Sequence, residues 1–323
     1  MNKKITLLLT FVSILLISNS VHAQTCWCNS CSSCNTRLGQ SGCSSVVLTG
    51  NVLHTGDDSC IRIRQGGTPS DPKIFSCQNY RIYDPNQDPN TGTGIEVTDP
   101  SGTIDNIMII LCEISNFKHG IKWTIQPHAA SSAGIANYVD IEDNHIHDCG
   151  EECILINHGN DNRIVDNIIE NGDGDGIRII GDSMNNDIIA NTIRNFPDGA
   201  GVYGNWSDYN NPPQDNLVYH NIITGNKYAV YFARRDGFWG WLPSNWRIYD
   251  NFLINDNDFG TDAQSGELPT SYWSTNLAQI PVDIGFNIIG GSWRGGNYYS
   301  NPTATGFSDL CSDGNGDGIC DSA

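Results

Sequence analysis

Basic residues are scarce in this 323-residue chain: 17 Lys and Arg stand against 36 Asp and Glu, a formal net charge of −19. A surface so acidic repels polyanions, which excludes nucleic acid and anionic lipid as general partners and admits an acidic polysaccharide only at a local basic patch. Methionine is nearly absent, with 3 residues, which argues against a thioether-rich copper site. Beyond the first two dozen residues no apolar run approaches the length of a membrane span. Helical periodicity is missing as well. The apolar segments are short, rich in Ile, Val and Tyr, and separated by Gly, Asn and Asp. That composition suits strands and turns and disfavours helix interiors.

What is present begins with "MNKKITLLLTFVSILLISNSVHA", in which two lysines, a short apolar run and a small-residue end read as a signal peptide over 1–23. No Cys stands at the cleavage point, which disfavours a lipoprotein. A secreted, extracellular or cell-surface location follows as an expectation. It makes disulfides the default for the 12 Cys. Six of them, Cys26, Cys28, Cys31, Cys34, Cys43 and Cys60, crowd a segment read as an N-terminal cap over 24–60. Zinc thiolates are the alternative there, and the pairing stays open.

The middle of the chain repeats. Aligned on Asn-x-[Ile/Phe/Leu], Asn144, Asn167, Asn191, Asn221 and Asn251 fall into register at intervals of about 23 to 30 residues. A second apolar strand follows each: "CILI", "GIRI", "GVYG", "AVYF". Periods of this length mean a solenoid, and the residues exclude a helical one. Parallel strands stacked one coil above the next are the expected architecture. Ile164, Ile188, Leu217 and Ile248 should then form one apolar file, and the five asparagines a ladder of amides at a left-handed corner. Their role is structural.

This pattern resembles the right-handed parallel β-helix repeat family, in particular the exported proteins similar to the nitrous-oxide-reductase maturation protein NosD. "CSSCNTRL…VVLTGNV…SCIRI" and "GGNYYSNPTATGFSDLCSDGNGDGICD" resemble the Cys-rich entry and the ending of such proteins. The resemblance implies an all-β, single-stranded right-handed parallel β-helix over 61–292, with a C-terminal cap over 293–323. It does not imply one activity, because the family spans lyases, glycosidases, epimerases, metallochaperone-like and non-catalytic proteins.

Several local sites stand out. Cys77 and Cys112 occupy matching places in consecutive coils and invite a bridge, Cys149 with Cys153 a local staple, and Cys311 with Cys320 another. In "DGNGDGICD", Asp313, Asn315, Asp317, Ile319 through its carbonyl, and Asp321 alternate as ligands of a structural Ca2+ would, without a twelfth-position Glu. "NGDGDGI" at 171–177 reads as a turn. Inserts at 205–215 and 233–245 leave the same edge of consecutive coils and should wall a groove. Tyr203 and Tyr231 would lie on its floor, and Trp206, Trp239 and Trp241 in its walls, offering aromatic faces to sugar rings. Packing of these aromatics onto the solenoid is the equal alternative. Arg178, Arg234 and Arg235 are the basic groups that a uronate lyase would use, and Asp208 with Asp236 the pair that a hydrolase would need. His145 and His147, two apart on a strand, would chelate a transition metal only with a third ligand.

The function expected from these features is a non-catalytic carbohydrate-binding or cell-surface structural protein with a polysaccharide or envelope-glycan partner. The alternative is a polysaccharide lyase or glycoside hydrolase acting beside the inserted loops.

Overall fold

The computed structural model describes residues 24–86, 91–98, 104–123, 136–205, 212–234, 242–262, 297–300, 302–303, 305–310 and 312. Each coil contributes a strand to three parallel sheets in turn. The first sheet has ten strands, from Gln24–Cys28 to Arg247–Tyr249. The second has nine, from Val52–Leu53 to Tyr298–Ser300, and the third eight, from Ser59–Ile63 to Asn257–Thr261. The parallel β-helix expected from the repeat is the observed architecture.

Its core follows from residues stacked one per coil. Ile121, Ile154, Ile177, Val202 and Val230 are paired through the third sheet and have no exposed surface. Burying each aliphatic side chain stabilises the fold by about 1.5–3 kcal/mol. The expected file in the first sheet needs one correction. Ile164 and Ile188 continue through Val218 to Ile248, whereas Leu217 pairs with Asp187 and Arg247 on the outer side. Strand alternation decides this, since a one-residue slip moves a side chain to the opposite face.

The asparagine ladder exists, and its corner works differently from the expectation. Asn144 Nδ2 donates to Asn167 Oδ1 at 3.0 Å, Asn167 to Asn191 at 3.0 Å, Asn191 to Asn221 at 3.0 Å and Asn221 to Asn251 at 2.9 Å. Asn297 takes the next place, accepting from Asn251 at 2.9 Å. The left-handed residue is not the asparagine but the one before it: Asp143, Asp166, Ala190, His220 and Asp250 have φ of 55°, 55°, 56°, 59° and 53°. That residue turns the chain, which lets the asparagine side chain point inward and bond main-chain groups that the bend leaves without partners. A second ladder, Asn162–Asn186–Asn216, lines another corner. Trp246 occupies its next place and donates Nε1–H to the Pro213 carbonyl at 3.1 Å.

One end of the solenoid is closed by the helix Cys31–Leu38, whose N-cap Ser30 forms a reciprocal capping box with Ser33. Disulfides Cys26–Cys43, Cys28–Cys34 and Cys31–Cys60 fasten it. Asn35 does for the open strand edge what another coil would do. Its Nδ2 donates to the Cys60 carbonyl at 2.9 Å, and its Oδ1 accepts from the Arg62 amide at 2.6 Å. An edge satisfied in this way cannot template strand addition. Cys77–Cys112 and Cys149–Cys153 are also bonded. Cys311 and Cys320 lie outside the described residues.

Candidate functional site

On the outer side of the third sheet, parallel register sets one side chain per coil into a strip. Its members are Lys122, Leu155, Arg178, Tyr203 and Tyr231, and Gly260 follows them. Alternation within each strand puts them opposite the buried aliphatics already named. The Arg178 guanidinium lies 4.7 Å from the centroid of the Tyr203 ring. Tyr203 stacks on Tyr231 at 5.5 Å with 13° between planes, and Tyr228 tilts against Tyr231 at 4.8 Å. At Gly260 a Cβ would sit 2.4 Å from Tyr231 Cδ2 and 2.5 Å from Tyr228 Cδ1, so the rings occupy the space that any other residue would fill.

This stack corrects one expectation. The broad faces of Tyr203 and Tyr231 are covered by Arg178, by each other, by Tyr228 and by the glycine beyond. Stacking along the solenoid axis leaves ring edges and hydroxyls, not faces, for a ligand. Burial raises the Tyr203 hydroxyl to about 12, with Arg178 opposing. Those hydroxyls therefore stay protonated as hydrogen-bond donors.

Arg178 Nη1 is 2.6 Å from Glu152 Oε1, and Glu152 also faces His119, whose Nδ1 is 3.0 Å from Oε2. His119, Glu152 and Asp175 are all buried. They precede the inward Ile121, Ile154 and Ile177 by two residues and so occupy equivalent places in consecutive coils. Burial works to raise the Glu152 pKa, but His119 and Arg178 prevail and hold it at about 2. For Asp175 burial prevails and raises the pKa to about 6, against the Ala200 amide, which donates to its Oδ1 at 2.8 Å, and against Arg178. Burial also works to lower the Arg178 pKa, yet Glu152 and Asp175 raise it above its ordinary value.

Opposite shifts have opposite consequences for stability. Glu152, depressed, contributes stability above the ordinary carboxyl range and loses it as pH falls through about 2. Asp175, raised, ionises first in the unfolded chain, so stability declines as pH climbs from the carboxyl range to about 6. Asp175→Asn keeps the acceptor for the Ala200 amide and removes this cost. The variant is expected to unfold with about 2–3 kcal/mol more free energy than the parent near pH 8, and with no gain near pH 3. Urea unfolding at both pH values checks it, and an equal difference at both would refute the assignment.

Sequence reasoning singled out Arg178, Tyr203 and Tyr231 here and missed His119, Glu152 and Asp175. The signal was the column ahead of the buried aliphatic in "HGI", "ECI" and "DGI". Arg234 directly follows the strand Tyr228–Ala233 of the same sheet, its main-chain N–H donating to Asp262 Oδ1 at 2.8 Å. Trp206, Asp208, Arg235, Asp236, Trp239 and Trp241 lie outside the described residues, as do the calcium-loop positions Asp313, Asn315, Asp317, Ile319 and Asp321. His145 and His147 stack at 4.4 Å on the outer side of the second sheet. Each meets carboxylates: His145 meets Glu170 at 2.9 Å, and His147 meets Asp148 at 2.7 Å and Glu113 at 3.4 Å.

Residues 77–253 match a family model described as "Right handed beta helix region". Among solved structures, the chain is similar to the alginate lyase from Paenibacillus sp. str. FPU-7, at 16% identity over 77% of this chain and 97% of that one, with a TM-score of 0.49. It is similar to pectate lyase Pel9A at 10% identity over 84% and 88%, with a TM-score of 0.46. The enzymatically active domain of bacteriophage CBA120 tailspike protein 2 follows at 11% identity, 71% and 41% coverage, and a TM-score of 0.34. No curated protein matches the chain.

Proposed function

Because the chain belongs to the right-handed β-helix family, we propose that it is an exported, non-catalytic glycan-binding protein whose binding strip is the outer side of the third sheet. The observation that carries this reading is the register that lines up Lys122, Arg178, Tyr203 and Tyr231. A linear polymer laid along the solenoid axis meets donors at Lys122 and, past Leu155, at the three consecutive coils of Arg178, Tyr203 and Tyr231, and tyrosine hydroxyls and a guanidinium suit hydroxyl- or carboxylate-bearing sugars. The five disulfides among the described residues favour an oxidising compartment. Against a lyase role for Arg178 stands its raised pKa and its bond to Glu152. A guanidinium held so firmly protonated is no proton abstractor. A structural calcium ion bound by Asp313, Asn315, Asp317, Ile319 and Asp321 remains part of the proposal.

Affinity electrophoresis of the mature protein against neutral and acidic polysaccharides, with and without calcium, tests this. One glycan should be retained, without new reducing ends or ultraviolet-absorbing products. Tyr203→Phe combined with Tyr231→Phe keeps the stack but removes both hydroxyls, and should weaken retention about tenfold, at roughly 0.7 kcal/mol for each of the two hydrogen bonds lost. Unchanged retention in that variant would move the site elsewhere.

One observation favours a second reading, polysaccharide cleavage. Asp175, raised to about 6, neighbours Glu152, held at about 2. Carboxyls with pKa values pushed apart suit paired acid and base roles. That reading requires product formation that disappears in Asp175→Asn.

A further inference from the structure

We propose that His119, Glu151 and Glu152, at the corner between the second and third sheets, bind one transition-metal dication of the zinc class. The proposal stands apart from glycan binding and needs no part of it. One donor atom from each of the three residues lies within 4.8 Å of the other two. The two carboxylates are arranged alike. Glu151 gives Oε1 to Lys118 at 2.9 Å and turns Oε2 toward His119 Nε2 at 3.6 Å. Glu152 gives Oε1 to Arg178 at 2.6 Å and turns Oε2 toward His119 Nδ1 at 3.0 Å. Basic side chains thus orient each carboxylate from behind, as outer partners of metal ligands do, and leave one oxygen of each facing the imidazole.

His119 supplies the second, independent observation. The residue is 5% exposed, and its Nδ1 is buried without a hydrogen-bond partner. At 3.0 Å from Nδ1, Glu152 Oε2 stands where a second ligand of an ion held by that nitrogen would stand. About 3.0–3.4 Å is the separation that two ligands adopt when each is about 2.1 Å from one ion. An imidazole with carboxylates selects a zinc-class metal, whereas calcium takes oxygen ligands.

The site is held rigid by its surroundings. The Cys149–Cys153 disulfide closes the turn that carries both glutamates. Glu151 N–H donates to the Lys118 carbonyl at 2.8 Å, which fixes the glutamate turn against the strand that carries His119. The next coil packs on the turn so closely that a Cβ on Gly174 would lie 2.5 Å from the Glu151 carbonyl oxygen. The Glu151 side chain, 51% exposed, leaves the ion a way in.

The test uses mature protein dialysed against chelator, titrated with Zn2+ alone by calorimetry, and with Co2+ by visible absorption. The expected result is one equivalent of zinc, with affinity reduced at least tenfold in Glu151→Gln and the stoichiometric site lost in His119→Gln. Glu151→Gln alters a half-exposed side chain, and thermal melts establish that each variant is folded. His145→Gln, on the other sheet, should leave the equivalent intact. No stoichiometric zinc in the parent protein overturns the proposal, as does an equivalent that survives both site variants or disappears with His145→Gln.

Discussion

Asn191→Ala is expected to lower the unfolding free energy by about 3–5 kcal/mol, through an orphaned main-chain N–H, a carbonyl that loses one donor, and a cavity. Asn191 has 1% of its surface exposed and sits mid-ladder. Its Oδ1 accepts from the Asn167 amide N–H and from Asn167 Nδ2, both at 3.0 Å, and its Nδ2 donates to the Ile164 carbonyl at 2.8 Å. Alanine leaves the Asn167 N–H buried and unpaired and takes one donor from the Ile164 carbonyl, which also lies in the parallel ladder of the first sheet. The orphaned N–H costs roughly 1–3 kcal/mol, because no water replaces the lost partner, and the lost donor about 1 kcal/mol. Asn167 Nδ2 keeps its bonds to Ile141 and Val165, and Asn221 Oδ1 keeps the Asn191 amide, so the damage stays in one corner.

The comparison variant is Asn297→Ala. Asn297 is the last described rung, only partly buried, and serves Asn251 on one side of the ladder. Nearest-neighbour energetics give an end rung a smaller share than a middle one. Urea unfolding of both variants, with amide exchange at Asn167, checks the ranking. Equal losses, or undisturbed protection of the Asn167 amide, would mean that the ladder is not what holds the corner.

The fold was legible in the sequence because a solenoid repeats its constraints. Each coil needs a corner residue, an amide and an inward aliphatic, and Asn144, Asn167 and Asn191 recur on schedule for that reason. Legibility ended one residue away. The left-handed positions hold Asp143, Asp166, Ala190, His220 and Asp250, too varied to form a visible column, while the asparagine beside them is constant since only an amide both donates and accepts along the stack. Leu217 is a different case. The inward aliphatic stands three residues before its asparagine in each coil, Ile164 before Asn167, Ile188 before Asn191 and Ile248 before Asn251, and the same offset from Asn221 leads to Val218, as the pairing shows. The site was legible on one column, Arg178–Tyr203–Tyr231, where alternation alone decides which way a side chain faces. His119, Glu152 and Asp175 share a backbone position two residues ahead of the buried aliphatic, but an imidazole and two carboxyls of different length form no repeated letter. The column shows only once the aliphatics behind it are stacked in register. What the tyrosine faces touch was beyond sequence altogether, because it depends on Gly260, one coil beyond Tyr231.

Below Asn144 the ladder changes material. The Cys112 amide N–H donates to Asn144 Oδ1 at 2.9 Å, yet Cys112 has no amide of its own to pass downward, and its sulfur is bonded to Cys77 instead. A covalent link thereby takes over where the side-chain hydrogen bonds stop. Cys77 and Cys112 are separated by 35 residues, and Cys149 and Cys153 by 4. Closing the longer loop restricts the unfolded chain more, which makes the expected losses about 4 kcal/mol for Cys77→Ala/Cys112→Ala and about 2 kcal/mol for Cys149→Ala/Cys153→Ala. The Asn144 bond survives the first pair of substitutions, since it uses the Cys112 main chain. Guanidinium unfolding of the two double variants measures the difference. Exchange should show lost protection spreading from residues 74–83 toward the cap and stopping at Asn144. A loss no larger for the 77–112 pair than for the 149–153 pair would show that the bridge adds nothing beyond packing. Both sulfurs of the longer bridge are buried, Cys77 at 0% and Cys112 at 2% exposure. A mild reductant should therefore leave it intact in the folded protein and cleave it only when these coils open.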